Sequence, residues 1–204
     1  MTRIHEPIRV LAVCGSLRQE SYNRRLLQGA ALVAPAGMSV HLHDTIADIP
    51  MFDEDVACSP AQLPHGVQRL RDAAVNADGL LIATPEYNQS LPGVLKNTID
   101  WLSRPTDDGI DVLERTPVAI VGATTGPWGT RLAQAQLRQA LTATGSFVLP
   151  APMLFVRDAS HVFDTAVGCY DADTLGKLRN VLAAFREWIT LLPRLRQLES
   201  PADG

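Results

Sequence analysis

Cysteine is scarce in this chain of 204 residues. Cys14, Cys58 and Cys169 stand far apart, odd in number, with no C-x-x-C pair and no Cys/His spacing. That pattern excludes a disulfide framework or a thiolate metal site and fits reduced thiols in a cytosolic protein. Long apolar runs are missing too. The first, Ile8–Cys14, holds seven residues with Arg9 among them, too short for a signal-peptide core or a membrane span. A soluble, untargeted, cytoplasmic protein with no membrane partner is expected. No run or stripe of positive charge occurs either: the formal net charge is −4, and apart from Lys96 and Lys177 the cations are scattered arginines. Nucleic acid is therefore not an expected partner. His5, His41, His43, His65 and His161 share no mutual spacing and read as surface or satisfied structural groups. Asp48, Asp53, Glu54 and Asp55 lack the spacing of a metal loop and read as a solvated face, so no metal is expected.

What is present is a globular composition, 46% hydrophobic and 20% charged, in a chain of single-domain length. Short apolar runs alternate with stretches of helical period. Strands are predicted at Val10–Val13, Ser39–Leu42, Gly79–Thr84, Pro117–Gly122 and Phe147–Leu149, with Met153–Phe155 as a further candidate for the last. Helices are predicted at Asn23–Ala34, Pro60–Ala77, Leu91–Ser103, Gly129–Thr144 and Thr174–Leu192, and Asp44–Asp55 is an irregular connection. Strands apolar on both faces need helices on both sides. The predicted fold is thus a doubly wound α/β domain with a five-stranded parallel sheet over residues 1–192, followed by a loosely held tail over 193–204.

Ligands of such sheets bind beyond the carboxyl ends of the strands, where the chain order reverses. Three loops therefore matter: Gly15–Asn23, Pro85–Leu91 and Thr124–Gly129. Each is rich in hydroxyl, amide and glycine residues. The first runs from strand into helix with Ser16, Arg18, Ser21 and Asn23 as donors. A helix start favours an anion, and arginine can bond phosphate oxygens in pairs. Neither G-x-G-x-x-G nor G-x-x-x-x-G-K-[ST] is present, so a dinucleotide pyrophosphate or a nucleoside triphosphate is not indicated. A terminal monophosphate fits best, against the plainer reading that Ser21 or Asn23 only caps the helix. In the second loop, Pro85 and Pro92 bracket a short pre-ordered polar segment suited to a flat heterocycle.

The run P-E-Y-N-x-S-x-P-G-x-L-K-N-x-I-D-W-x-S-R-P from Pro85, with G-S-x-R-x-x-S-x-N from Gly15, resembles the NADPH-dependent FMN reductase family, which includes bacterial quinone, azo-dye and chromate reductases. The resemblance covers about Val10 to Ala143. It implies a flavodoxin-like fold, bound FMN, and homodimers or homotetramers. By position it places Ser16, Arg18, Ser21 and Asn23, with Tyr22 beside them, at the cofactor phosphate. It places Pro85, Glu86, Tyr87 and Asn88 along the isoalloxazine ring. Glu86 reads as a loop-orienting or ring-contacting residue rather than a base. Thr124, Thr125 and Gly126 match a third loop that approaches the ring and ribityl chain. Lys96, Asn97, Asp100, Trp101 and Arg104 match a helix that is mostly architectural and often pairs subunits. Thr130 departs from the small residues common before the arginine at position 131. Trp128 would wall the substrate slot or pack on the helix below; Arg131 would meet another subunit or the nicotinamide's phosphates, or lie free on its helix.

The implied activity is hydride transfer from NADPH or NADH through the flavin to a small acceptor such as a quinone, with an azo compound, chromate or free flavin as other candidates, in a ping-pong cycle. No residue is assigned as a nucleophile or other catalytic group. The competing reading is a flavodoxin-like electron carrier or redox-sensing flavoprotein that does not turn over nicotinamide.

Overall fold

The computed structural model describes residues 7–58, 63–106, 109–163 and 171–199, with side chains as far as Leu192. His5, Cys169, the start of the helix predicted from Pro60, and the chain after Glu199 lie outside them. The strands are β1 (Ile8–Cys14), β2 (Met38–Leu42), β3 (Gly79–Ala83), β4 (Pro117–Ala123), β5 (Phe147–Val148) and β6 (Leu154–Val156). The helices are α1 (Tyr22–Val33), α2 (Glu54–Ala57), α3 (His65–Val75), α4 (Gly93–Leu102), α5 (Arg131–Ala143), α6 (Ala159–Val162) and α7 (Ala172–Glu199). All pairings between strands are parallel, in the order β2-β1-β3-β4-β5 with β6 also on β4. This is the flavodoxin order, reversing between β1 and β3.

The two candidates for the last strand are both real, and they share one edge of β4. Val148 pairs with Val118 and Leu154 with Val121, so six steps of chain cover three steps of β4 and the excess is extruded as Leu149–Met153. The closing helix runs past Leu192, where helical period in the sequence ends, through Pro193 to Glu199. A proline removes one intrahelical bond and need not end the helix. Among the described residues, no helix is long and apolar enough to cross a membrane.

Alternation along β1 divides the core. Val10, Ala12 and Cys14 face α1 and α7, where they pack with Leu26, Leu27, Leu178, Leu182 and Phe185. Leu11 and Val13 face α3, α4 and α5 and pack with Leu70, Leu95, Trp101 and Leu137. Burial of both faces explains why the central strands are apolar throughout, β3 and β4 being buried at every residue. Helix α4 also secures the connection after β2. Asn97 accepts from Phe52 N–H and donates to Pro50 C=O, which also accepts from Trp101 Nε1 at 2.8 Å. Lys96 pairs with Asp100, and Arg104 with Glu54. These five residues have the architectural contacts expected of them.

Candidate functional site

The loops after β1, β3 and β4 meet in a cleft of about 180 Å³ at the carboxyl edge of the sheet. Ser16, Arg18, Ser21, Tyr22 and Asn23 line one end, and Pro85, Glu86, Tyr87, Thr124 and Thr125 the rest, together with Ala123. Ten of the twelve residues singled out from sequence thus share one cavity, while Asn88 and Gly126 sit just beyond its lining. A larger groove of about 600 Å³ lies between α4 and α5, by Val112–Glu114 and Gly145. It opens away from the strand ends and lacks their converging loop donors, so size does not identify the site here.

Gly15 lets the first loop form. A Cβ there would stand 2.8 Å from Leu95 Cδ2 and 3.2 Å from Ala83 C=O, so only glycine passes between β3 and α4. Ser21 caps α1 by accepting from Arg24 N–H. The N–H groups of Tyr22 and Asn23 have no protein acceptor among the described residues, which leaves the helix start open to an anion. Arg18 is exposed and lies 5.8 Å from the Tyr22 ring centre, free to turn toward the cleft.

Asn23 has a different task from the donor role read in the sequence. Its side chain is 3% exposed and spans to the end of β4, donating to Ala123 C=O and accepting from Ala123 N–H, both at 2.9 Å. The last β3–β4 register pair is Ala83 with Val121. The amide of Asn23 therefore takes over where β3 has left the sheet, and both of its polar atoms are occupied.

Glu86 is also committed. Its Oε2 accepts from Leu132 N–H at 2.9 Å and Ala133 N–H at 3.0 Å, capping α5, whose own N-cap residue Thr130 makes no side-chain bond to the helix. A carboxylate at that position also complements the helix dipole. Of the readings held for Glu86, loop orientation is the one its contacts match. The following residues form a tight turn: Tyr87 and Ser90 exchange both backbone bonds, at 3.1 and 3.0 Å, while Asn88 and Gln89 have φ of 52° and 59°. Two consecutive left-handed residues define a type I′ turn. In the third loop, Gly126 N–H bonds Thr124 Oγ1. Trp128 is 80% exposed, which rules out packing on the helix below, and Arg131 lies 5.5 Å from the Phe155 ring centre.

Sequence reasoning missed His43. It lines a second cavity of about 200 Å³ that shares Ser16 and Arg18 with the cleft, its ring is buried, and Nε2 has no hydrogen-bond partner. Burial pushes its pKa below the usual 6.5, helped by Arg69 and opposed by Asp44 and Asp48. As pH falls through about 6.5 the unfolded ring gains a proton first, so stability is lost from there downward until the folded ring titrates. His43→Gln is expected to flatten the fall in urea midpoint between about pH 7 and 5.5. An unchanged slope would contradict the assignment.

An open α/β sheet with donor-rich loops at its switch point defines a protein that binds a phosphorylated planar ligand there. The sequence profile of the NADPH-dependent FMN reductase family matches residues 8–161, and the chain belongs to that family. It is 40% identical over 187 residues to an NAD(P)H-dependent FMN reductase of Pseudomonas aeruginosa, covering 92% of this chain and 98% of that one. It is 38% identical to a quinone reductase of Escherichia coli K12, covering 90% and 96%. Among solved structures, FerB of Paracoccus denitrificans, a flavoenzyme NAD(P)H:(acceptor) oxidoreductase, superposes with a TM-score of 0.78 at 32% identity, covering 90% and 97%.

Proposed function

We propose that the protein holds FMN in the strand-end cleft and works as an NAD(P)H oxidoreductase, passing hydride to a small acceptor such as a quinone, an azo compound, chromate or free flavin. The observation that carries this reading is the division of one cleft into an anion end and a flat end. At the anion end, Ser16, Arg18, Ser21 and the open N–H groups of Tyr22 and Asn23 suit a phosphate dianion. At the other, Pro85, Glu86, Tyr87 and Asn88 offer backbone and ring surface, and Thr124, Thr125 and Gly126 face them from the loop after β4. A Cβ on Gly126 would meet nothing nearer than Thr124 Oγ1 at 3.8 Å, so the protein itself does not require glycine there, and room beside a ligand does.

When bound, FMN supplies the two-electron chemistry, accepting hydride from reduced nicotinamide and returning it to the acceptor in a ping-pong cycle. The chain's own part is to anchor the phosphate and to aim fixed N–H dipoles at the ring edge where negative charge grows. It also keeps one ring face open to donor and acceptor in turn. The reading includes a cytoplasmic homodimer or homotetramer.

The purified protein is expected to show flavin absorption bands and to oxidise NADPH or NADH in the presence of a quinone. Arg18→Ala should weaken FMN binding by about tenfold or more, since hydrogen bonds to a charged group are the stronger ones. A colourless protein that ignores added FMN would overturn the reading; a yellow one that oxidises neither nucleotide would make it an electron carrier or redox sensor.

A further inference from the structure

The turn after β3 has an unfavourable sequence for its shape. Type I′ turns favour Asn-Gly at the two central positions, because both need positive φ. Here the pair is Asn88-Gln89, and Gln89 adopts φ 59° although a residue with a long side chain is disfavoured in that region. Something outside the turn must hold it, and the contacts name Gln136 on α5. Its Oε1 accepts from Ser90 Oγ at 2.6 Å and from Leu91 N–H at 3.2 Å, and its Nε2 reaches Gln89 C=O at 3.5 Å. All three partners belong to the turn or to the residue after it. Glu86, at the other end of the same segment, is fixed to the first turn of α5. One helix thus grips the loop at both ends.

In this conformation the hairpin bonds use the N–H groups of Tyr87 and Ser90, while those of Asn88 and Gln89 have no protein acceptor among the described residues. Strained backbone over-determined by its surroundings, at the rim of a ligand cleft, is a form in which proteins store preorganisation. We infer that Gln136 is a positioning residue: by holding Asn88 and Gln89 left-handed it keeps their N–H groups fixed as donors at the ring end of the cleft, and so favours reduced over oxidised flavin. The inference rests on the FMN reading. Its physical content is that a donor already fixed before electrons arrive stabilises a more electron-rich ring without reorganising.

The test uses four forms of the full chain: wild type, Gln136→Leu, Gln89→Gly and the double variant. Leucine is similar in size to glutamine and removes its hydrogen bonds; glycine relieves the strain at position 89, creating the preferred turn sequence. Three quantities are read: amide exchange at Tyr87 and Ser90 in the apoprotein, FMN affinity of the apoprotein, and the midpoint potential of the loaded protein. Gln136→Leu should speed exchange at both amides and weaken FMN binding about tenfold. If that loss falls on the reduced form, the potential drops by about 30 mV for a two-electron couple. The double variant should return exchange, affinity and potential to near wild type, because the turn no longer needs its clamp. Unchanged exchange and affinity in Gln136→Leu, or a loss that Gln89→Gly does not restore, would overturn the inference. A wild-type apoprotein that takes up no FMN would overturn the flavin reading and this inference together, which is distinct from a flavoprotein indifferent to Gln136.

Discussion

Asn23→Ala is expected to lower the stability of the apoprotein by about 2–4 kcal/mol, because it strands two buried backbone groups that each cost about 1–3 kcal/mol unpaired. The groups are the N–H and C=O of Ala123, at the end of a strand buried at every residue. Water cannot readily replace the lost amide, since position 23 is 3% exposed. Urea denaturation of the apoprotein reads the effect directly. FMN affinity should fall as well, through shape rather than through a lost donor: the strut fixes the distance between the start of α1 and the loop after β4, the two sides of the cleft. Asn23→Asp makes the sharper comparison. It keeps the acceptor for Ala123 N–H but sets a carboxylate against Ala123 C=O, so it should be no less destabilising than alanine. A destabilisation below about 0.5 kcal/mol in the alanine variant, the range of ordinary surface substitutions, would show that the strut contributes little.

Gly122→Ala is the other large effect. An added Cβ would lie 2.1 Å from Thr130 Oγ1 and 2.5 Å from Thr84 C=O. The carbonyl belongs to the segment leading out of β3, and Thr130 Oγ1 accepts from Gln134 Nε2 at 3.0 Å, so neither can retreat alone. Overpacking of this kind costs about 3 kcal/mol, at the upper end of its usual range. The clash would push the loops after β3 and β4 apart where the cleft needs them together. Gly126→Ala is the contrast within the same loop. Nothing in the protein opposes its Cβ, so apoprotein stability should stay within about 0.5 kcal/mol, while FMN affinity falls if the ligand occupies that space. Thermal melts of the two apoproteins, set beside FMN titrations, separate a glycine required by the fold from one required by the ligand.

Those two glycines mark where sequence reading stops. The alternation of apolar runs and helical stretches was legible because burial on both faces leaves a local trace in every strand. The three loops were legible because strand ends and proline fix their place, and the structure gathers ten of the twelve residues they suggested into one cleft. Side-chain direction was not legible. Asn23 reads as a donor beside Ser21, yet its partner lies 100 residues away. Glu86 caps a helix 46 residues downstream, and no local pattern marks a cap supplied from another loop. Gln136 looks like any polar residue on an amphipathic helix until the strained turn opposite is seen. His43 follows a strand with no motif around it, so its buried, unpartnered nitrogen could be found only in three dimensions. The split of the last strand was half visible, as two candidate runs whose shared edge could not be foreseen.

That split has a consequence for how copies of the chain behave in a crowded cell. A sheet margin offers a row of unpaired amides and carbonyls onto which a stranger's strand can add. Beside β4 the outermost pieces are two and three residues long, with a bulging segment between them. No run of free backbone there is long enough to template ladder growth, so this side of the molecule resists aggregation by its shape, without needing a charged guard residue.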